Sequence, residues 1–211
     1  MYEPDVALTD YALAIEAVLF AVLLLRQRTA NDQLRILSTL LFFMLAVSSL
    51  LGGTYHGFFP DKTATPGGCI IWIATMLSIG LIAALLWLVS VTLISGKRHF
   101  RLASLLIGGG VALYAYYLIN IDHTFRVGIV FYLPPLAALL CVLTWRFFQR
   151  KSIVDGMGIF AILLMFLGAA FQQFHIGLHP IYFNHNALYH LIQGIALALL
   201  FGIFRLQQRV L

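Results

Sequence analysis

Histidine is the residue type in this chain most able to do chemistry, and its positions are clustered. The chain of 211 residues has seven histidines, of which His99 lies in a basic loop. The other six fall where apolar stretches begin or end, at what should be one end of a helical bundle: His56, His123, His175, His179, His185 and His190. Neutral imidazoles at one depth of a low-dielectric bundle can bind a metal, relay a proton or ligate a haem.

Two segments bring His56 and His190 toward each other. The segment SSLLGGTYHGFFPD places His56 about one turn from a helix end, with Ser49 seven positions earlier on the same face. The segment FNHNALYHLIQ places Asn186 and His190 four apart on one helical face, and His185 can join them only from an unwound start. An unpaired imidazole is costly in an apolar stretch, so the two embedded rings are predicted to meet.

A third segment, QQFHIGLHP, carries His175 and His179. They are four apart, one turn before Pro180 is predicted to end the helix. This is a metal-ligand spacing, and the two residues are alternates to His185 as the third ligand.

The elements that must position these residues are membrane helices. At 62% apolar and 10% charged residues, the chain has too little polar surface for a soluble globule. Its apolar residues form blocks that match the hydrocarbon thickness of a bilayer, about 20 residues each. The sequence therefore predicts an all-α, single-domain bundle spanning 1–211, with seven transmembrane blocks: Ala7 to Leu25, Leu34 to Phe59, Cys69 to Ile94, Phe100 to Ile119, Val127 to Phe148, Met157 to Phe174 and Asn186 to Phe204.

Basic residues indicate the orientation. Lys62 and Arg126 flank one face, against eleven on the other: Arg26, Arg28, Arg35, Lys97, Arg98, Arg101, Arg146, Arg150, Lys151, Arg205 and Arg209. The richer face should be cytoplasmic, which places the N-terminus outside with Glu3, Asp5 and Asp10, and the C-terminus inside. We expect an integral protein of the inner membrane of a bacterium. The net charge of +5 follows from this bias and predicts no nucleic-acid partner.

This arrangement resembles the CREST superfamily, which includes the alkaline ceramidases, the adiponectin and progestin receptors and the Per1-like proteins. That family has a serine four residues before a histidine ending the second helix, an aspartate near the start of the third, and HxxxH opening the seventh. The resemblance implies that three histidines bind zinc and that the activated water cleaves a lipid amide. His56 matches the first histidine and His190 the last. The N-out topology is similar to that of the alkaline ceramidases.

Three positions depart from that pattern, because Gly52 replaces the serine, the third block has no aspartate and Asn186 replaces a histidine. Substitutes for them are at hand: Ser49 or Thr54 for the serine, Asp61 or Asp122 for the carboxylate, and His185, His175 or His179 for the third ligand.

A zinc hydrolase needs about three protein ligands and one open position. We expect His56, His185 and His190 as ligands, Asn186 to orient the water, and Asp61 or Asp122 as general base or second partner. The depth of the site predicts a membrane lipid substrate whose amide or ester lies in the outer leaflet.

Other functions fit the same residues. A transporter or a receptor-like binding protein could use the outer histidine cluster without catalysis. A haem protein could use His56 and His190, but an inner histidine pair is absent. A retinal protein is excluded because the seventh block has no lysine for a Schiff base.

Overall fold

The computed structural model describes residues 1–27, 31–179 and 182–210, and within these ranges the chain is helical. Its long helices are α1 (Pro4–Leu25), α2 (Asp32–Phe58), α3 (Pro66–Ser95), α4 (Phe100–Asn120), α5 (Phe125–Arg150), α6 (Ile153–Gln173) and α7 (His185–Val210), with a short 3-10 helix at Lys62–Ala64. All seven are long and apolar enough to cross a membrane. The predicted all-α architecture of seven helices is confirmed, and these helices are compatible with an integral membrane protein.

Side-chain caps determine where three helices begin. Asn31 accepts a hydrogen bond from the backbone of α2, and Thr65 does the same for α3, both at 3.1 Å. The side chain of Asn184 accepts from the backbone N–H groups of residues 186 and 187, at 2.9 and 3.1 Å. Such caps satisfy N–H groups that have no partner within the helix. The cap at Asn184 makes His185 the first residue of α7.

Six helices form a ring. In the order α1, α2, α3, α5, α6 and α7, each packs against the next, and α7 packs back against α1. Helix α4 lies outside this ring against α3, where the hydroxyl of Tyr114 donates to the carbonyl oxygen of Met76 at 2.8 Å. Gly80 lets the two helices approach, because a Cβ atom there would lie 2.5 Å from the Tyr114 ring. The first and last helices are therefore neighbours.

Because consecutive helices run in opposite directions, the bundle has two distinct ends. We call the end where α1 and α7 begin and α2 stops the histidine end. At the other end, the guanidinium of buried Arg146 donates to Asp155 at 3.2 Å and to the carbonyl oxygen of Leu93 at 3.1 Å. The amide of Gln207 donates to the same Asp155 oxygen at 2.9 Å. This polar network joins α3, α5, α6 and α7. Arg28, counted on this face, lies outside the described residues.

Candidate functional site

The most deeply buried histidine of the site, His190, is paired with residues of α1. Its Nε2 atom lies 3.4 Å from Oδ1 of Asp10, and its Nδ1 atom lies 3.0 Å from the hydroxyl oxygen of Thr9. Only 5% of Asp10 and 9% of His190 are exposed. Since Thr9 and Asp10 are consecutive, the second turn of α1 contacts both nitrogens of one imidazole.

The hydrogen bonds of Thr9 determine which nitrogen of His190 carries a proton. A threonine hydroxyl has one hydrogen to donate. That hydrogen is used within α1, because the Thr9 oxygen lies 2.9 Å from the carbonyl oxygens of Asp5 and Val6. When the hydroxyl donates to one of these carbonyl oxygens, it accepts a hydrogen bond from the Nδ1–H group of His190. In the neutral ring, the lone pair is on Nε2 and faces Asp10.

The carboxylate of Glu3 forms a hydrogen bond with His56, the second histidine predicted to lie within an apolar stretch. His56, near the end of α2, donates its Nδ1–H to the side chain of Glu3, and Lys62 lies 3.4 Å from the other oxygen of that carboxylate. The hydrogen bond from His56 lowers the pKa of Glu3, outweighing the effect of burial, and the charges of His56 and Lys62 act in the same direction. Glu3 is therefore ionised at neutral pH. With Nδ1 engaged, the lone pair of a neutral His56 is also on Nε2.

The absence of a side chain at Gly52 leaves room for the carboxylate of Asp10. A Cβ atom at Gly52 would lie 3.1 Å from Oδ2 and 3.5 Å from Oδ1 of Asp10. A serine at position 52, where the CREST pattern has one, would press against this carboxylate. Glycine at position 52 therefore allows the Asp10 carboxylate to occupy this position beside α2.

The two predicted ligands that match the CREST pattern lie at the same end of the bundle. His56 lies in the last turn of α2 and His190 in the second turn of α7, each paired with residues of the N-terminal segment. Within the described ranges, however, no three His, Cys, Asp or Glu side chains are grouped so that they could hold a metal ion as they stand.

The predicted third ligand, His185, has a different neighbour. Its ring lies 4.5 Å from the ring of His175, centroid to centroid. It occupies the first turn of α7, not an unwound segment, so the condition for joining His190 is not met. Asn186, predicted to orient water, accepts a hydrogen bond at 3.0 Å from the amide of Gln172 on α6.

The prediction that the helix continues past His175 and His179 to Pro180 is wrong. Helix α6 ends at Gln173, and His175 has the left-handed φ of 56°. This conformation terminates a helix, so both histidines lie in the following loop, where both are exposed. The ring of His179 accepts a hydrogen bond from the backbone of Tyr182 at 3.1 Å. Pro180, predicted to end the helix, lies outside the described residues.

The remaining predicted site residues are placed apart from the two histidine pairs. Asp61 is exposed and precedes the short 3-10 helix. Asp122 lies between α4 and α5, where the backbone N–H of Thr124 donates to its side chain at 2.8 Å and lowers its pKa. Ser49 is half-buried on α2. The Thr54 hydroxyl donates to the carbonyl oxygen of Leu50 at 2.7 Å and lies 3.4 Å from the hydroxyl of Tyr11.

Sequence reasoning missed the part played by α1. Asp10 was predicted to lie outside with the N-terminus, and its burial against another helix was not foreseen. Because α1 begins at Pro4, Asp10 lies in its second turn and is buried. The available signal was an acidic residue inside the first apolar block, since ionisable residues within membrane spans are usually functional.

Comparison with known families places the chain in one of them. Residues 6–208 match the DUF6962 family, which is described as a family of unknown function. The chain belongs to this family. The matched range includes Asp10, Gly52, His56 and His190 but not Glu3. No curated protein and no solved structure matches the chain.

Proposed function

We propose that this protein is a metal-dependent intramembrane hydrolase that cleaves a lipid amide or ester, with zinc as its metal. One observation carries the proposal. Both His56 and His190 are held through Nδ1 by an oxygen acceptor, which leaves the Nε2 lone pair of each neutral ring available at the same end of the bundle. Proteins commonly orient metal-binding imidazoles in this way.

The donor atoms also suit zinc. Zinc binds imidazole nitrogen and carboxylate oxygen at about 2.0–2.2 Å, so two ligands of a tetrahedral ion lie about 3.4 Å apart. His190 Nε2 and Asp10 Oδ1 are separated by 3.4 Å. When bound, the metal would supply a water of pKa near ~7 and polarise the carbonyl group to be cleaved.

Side chains of the protein would orient the two imidazole rings and shield the site from the surroundings. Glu3 and Thr9 fix the two imidazole rings, and the ionised, half-buried Glu3 can accept a proton at the open side of the site. Asp10 and His190 close its inner side. A lipid whose chains lie in the bilayer would present its amide or ester at this depth, in the outer leaflet under the predicted orientation.

Zinc content and hydrolysis test this function together. The purified protein in lipid nanodiscs should contain nearly one zinc per chain and hydrolyse at least one member of a panel of ceramide-like amides and lipid esters. His56→Ala and His190→Ala should each lose zinc and activity. His123→Ala is the matched control, because His123 is exposed at the same end, and it should retain both. A zinc-loaded wild-type protein that hydrolyses none of the lipids would refute the hydrolase.

A transporter or receptor-like binding protein is the second candidate. It is favoured by the fact that, in the described part of the chain, three metal donors are not grouped as they stand. In this case the cluster would bind a ligand or ion without catalysis. The binder predicts that no lipid of the panel is hydrolysed, even when zinc is supplied.

A further inference from the structure

A small cavity lies at the centre of the ring of helices. Apolar side chains of α2, α3, α6 and α7 form most of its wall, and among the described residues that line it, polar atoms come from Tyr132 on α5 and Gln193 on α7. The volume of the cavity is about 10 Å³, and roughly 10–15 Å³ is needed to hold one water molecule. Both residues lie inside their helices, so the predicted insertion places the cavity within the membrane.

The polar groups of Tyr132 and Gln193 have no partner in the protein. Within the described ranges, neither the Tyr132 hydroxyl nor the Gln193 amide forms a hydrogen bond, although Tyr132 packs against the main hydrophobic core. Polar groups without partners are costly in the middle of a bilayer, where bulk water does not reach them. A hydroxyl and a side-chain amide can each donate and accept. A small molecule that also does both would therefore satisfy the two groups.

The backbone of α5 adds an acceptor near Tyr132. Pro134 and Pro135 lie inside this helix and have no N–H group, so the carbonyl oxygens of Val130 and Phe131 lose their usual helical donor. Pro135 is buried and, three positions after Tyr132, lies on the same face of α5. The carbonyl group of Phe131, four positions before Pro135, belongs to that buried face. The proline pair therefore frees an acceptor on the side of α5 that carries Tyr132.

We propose that the cavity is a binding site for one water molecule, which bridges the Tyr132 hydroxyl and the Gln193 side chain. Water matches the size of the cavity and can donate and accept. An ion does not match, because no charged side chain of the described residues lines the cavity. Gln193 lies one turn from His190, so the bridge would hold this turn of α7 against α5. Zinc and hydrolysis do not enter this inference, which is independent of the proposed function.

The first experiment is an experimental structure of the wild-type protein in nanodiscs, at a resolution that shows ordered water. A density peak should lie within hydrogen-bonding distance of both the Tyr132 hydroxyl and the Gln193 side chain, about 2.7–3.2 Å from each. A cavity without a peak, or a direct hydrogen bond between the two side chains, would overturn the inference. This test uses no variant, so it does not depend on how substitutions affect folding.

The sign of a stability change provides the second test. Tyr132→Phe removes only the hydroxyl group. If that group binds water, the variant should unfold at a temperature about 2–4 °C below wild type, as expected for the loss of one hydrogen bond in a chain of this size. If the hydroxyl has no partner, its removal should leave the unfolding temperature unchanged or raise it, which would contradict the bridge. Tyr116→Phe is the matched control, because Tyr116 is exposed on α4, and it should have no effect.

A double-mutant cycle then asks whether the two side chains share one water molecule. Gln193→Met keeps a side chain of similar length without polar hydrogen-bonding groups, and it should lower the unfolding temperature by a similar amount. The double variant with Tyr132→Phe should be little less stable than either single variant, because the second substitution meets a bridge that is already broken. Two shifts that simply add would show that Tyr132 and Gln193 act separately and would refute the bridge.

Discussion

At the scale of single residues, the orientation of His56 depends on a carboxylate that titrates. The hydrogen bond from His56 holds the pKa of Glu3 below its ordinary value of 4.5. A carboxylate whose pKa is lower in the folded state contributes stability that is fully present above its unfolded pKa. This contribution is lost as the pH falls from about 4.5 through the folded pKa. Acid should therefore release His56 from its partner.

Glu3→Gln tests this link between charge and stability. At pH 7 the variant should unfold at a temperature about 2–4 °C below wild type, as expected for a loss of about 1 kcal/mol. As the pH falls from 4.5 through the lowered pKa of folded Glu3, the two proteins should converge, because Glu3 of the wild type becomes protonated. Thermal unfolding in a mild detergent between pH 3 and pH 7 measures the difference. A gap that stays constant over this range would show that the charge of Glu3 does not stabilise the fold.

The sequence could predict part of this site. The shared location of His56 and His190 at one end follows from counting helices and noting where each residue falls within its block. The pairing of Asp10 with His190 does not follow, because it depends on packing between the first and last helices. The partner of His185 likewise depends on a loop in which His175 takes a left-handed conformation. Neither arrangement has a signature in local spacing.

At the scale of elements, α1 is the helix that assembles the site. It supplies Glu3 to α2, and Thr9 and Asp10 to α7, while Asp5 accepts a hydrogen bond at 3.0 Å from the backbone of Asn184 at the start of α7. Its contact with α2 is close, because a Cβ atom at Gly53 would lie 2.9 Å from the Tyr11 ring and 3.1 Å from the carbonyl oxygen of Ala7. Hydropathy predicts the spans, but these contacts decide which polar side chains meet at the histidine end.

Gly53→Ala should separate α1 from α2. The added methyl group meets backbone that cannot move aside, and overpacking of this kind typically costs about 1–3 kcal/mol. The matched change Gly108→Ala has open space around it and should be neutral or stabilising by about 0.5–1 kcal/mol, as expected for alanine in a helix. Thermal unfolding of both variants and zinc affinity of Gly53→Ala are the measurements. An equally stable Gly53→Ala protein would show that the two helices do not need this close contact.

At the scale of the whole molecule, charge separates the two ends of the bundle. Eleven of the thirteen lysines and arginines are predicted to lie on the face opposite the site, and all of these except Arg28 fall in the described ranges. There, Arg146 and Asp155 form a buried pair that joins four helices through Leu93 and Gln207. Removing one partner of such a pair typically costs about 3–5 kcal/mol. The end opposite the site therefore carries this buried ionic network, whereas six of the seven histidines lie at the histidine end.

The distribution of basic residues predicts the topology. Reporter domains fused after Arg209 should be cytoplasmic, and those inserted between Asp61 and Gly67 should be external, because basic loops are retained on the cytoplasmic side. Paired alkaline phosphatase and fluorescent protein fusions measure both positions. The reverse pattern would move the histidine end, and the proposed site with it, to the cytoplasmic leaflet.

Because α1 and α7 are the first and last helices to be synthesised, their contact in the ring forms late in synthesis. Asp10 is synthesised 180 residues before His190. Protein synthesis proceeds at about 5–20 residues per second, so roughly 10–40 s pass between the synthesis of Asp10 and that of His190. During that interval, the backbone beside Gly52 on α2 is the neighbour available to the carboxylate. A nascent chain that stops after α6 therefore contains Asp10 but lacks His190, so this contact forms only after the last helix has been inserted.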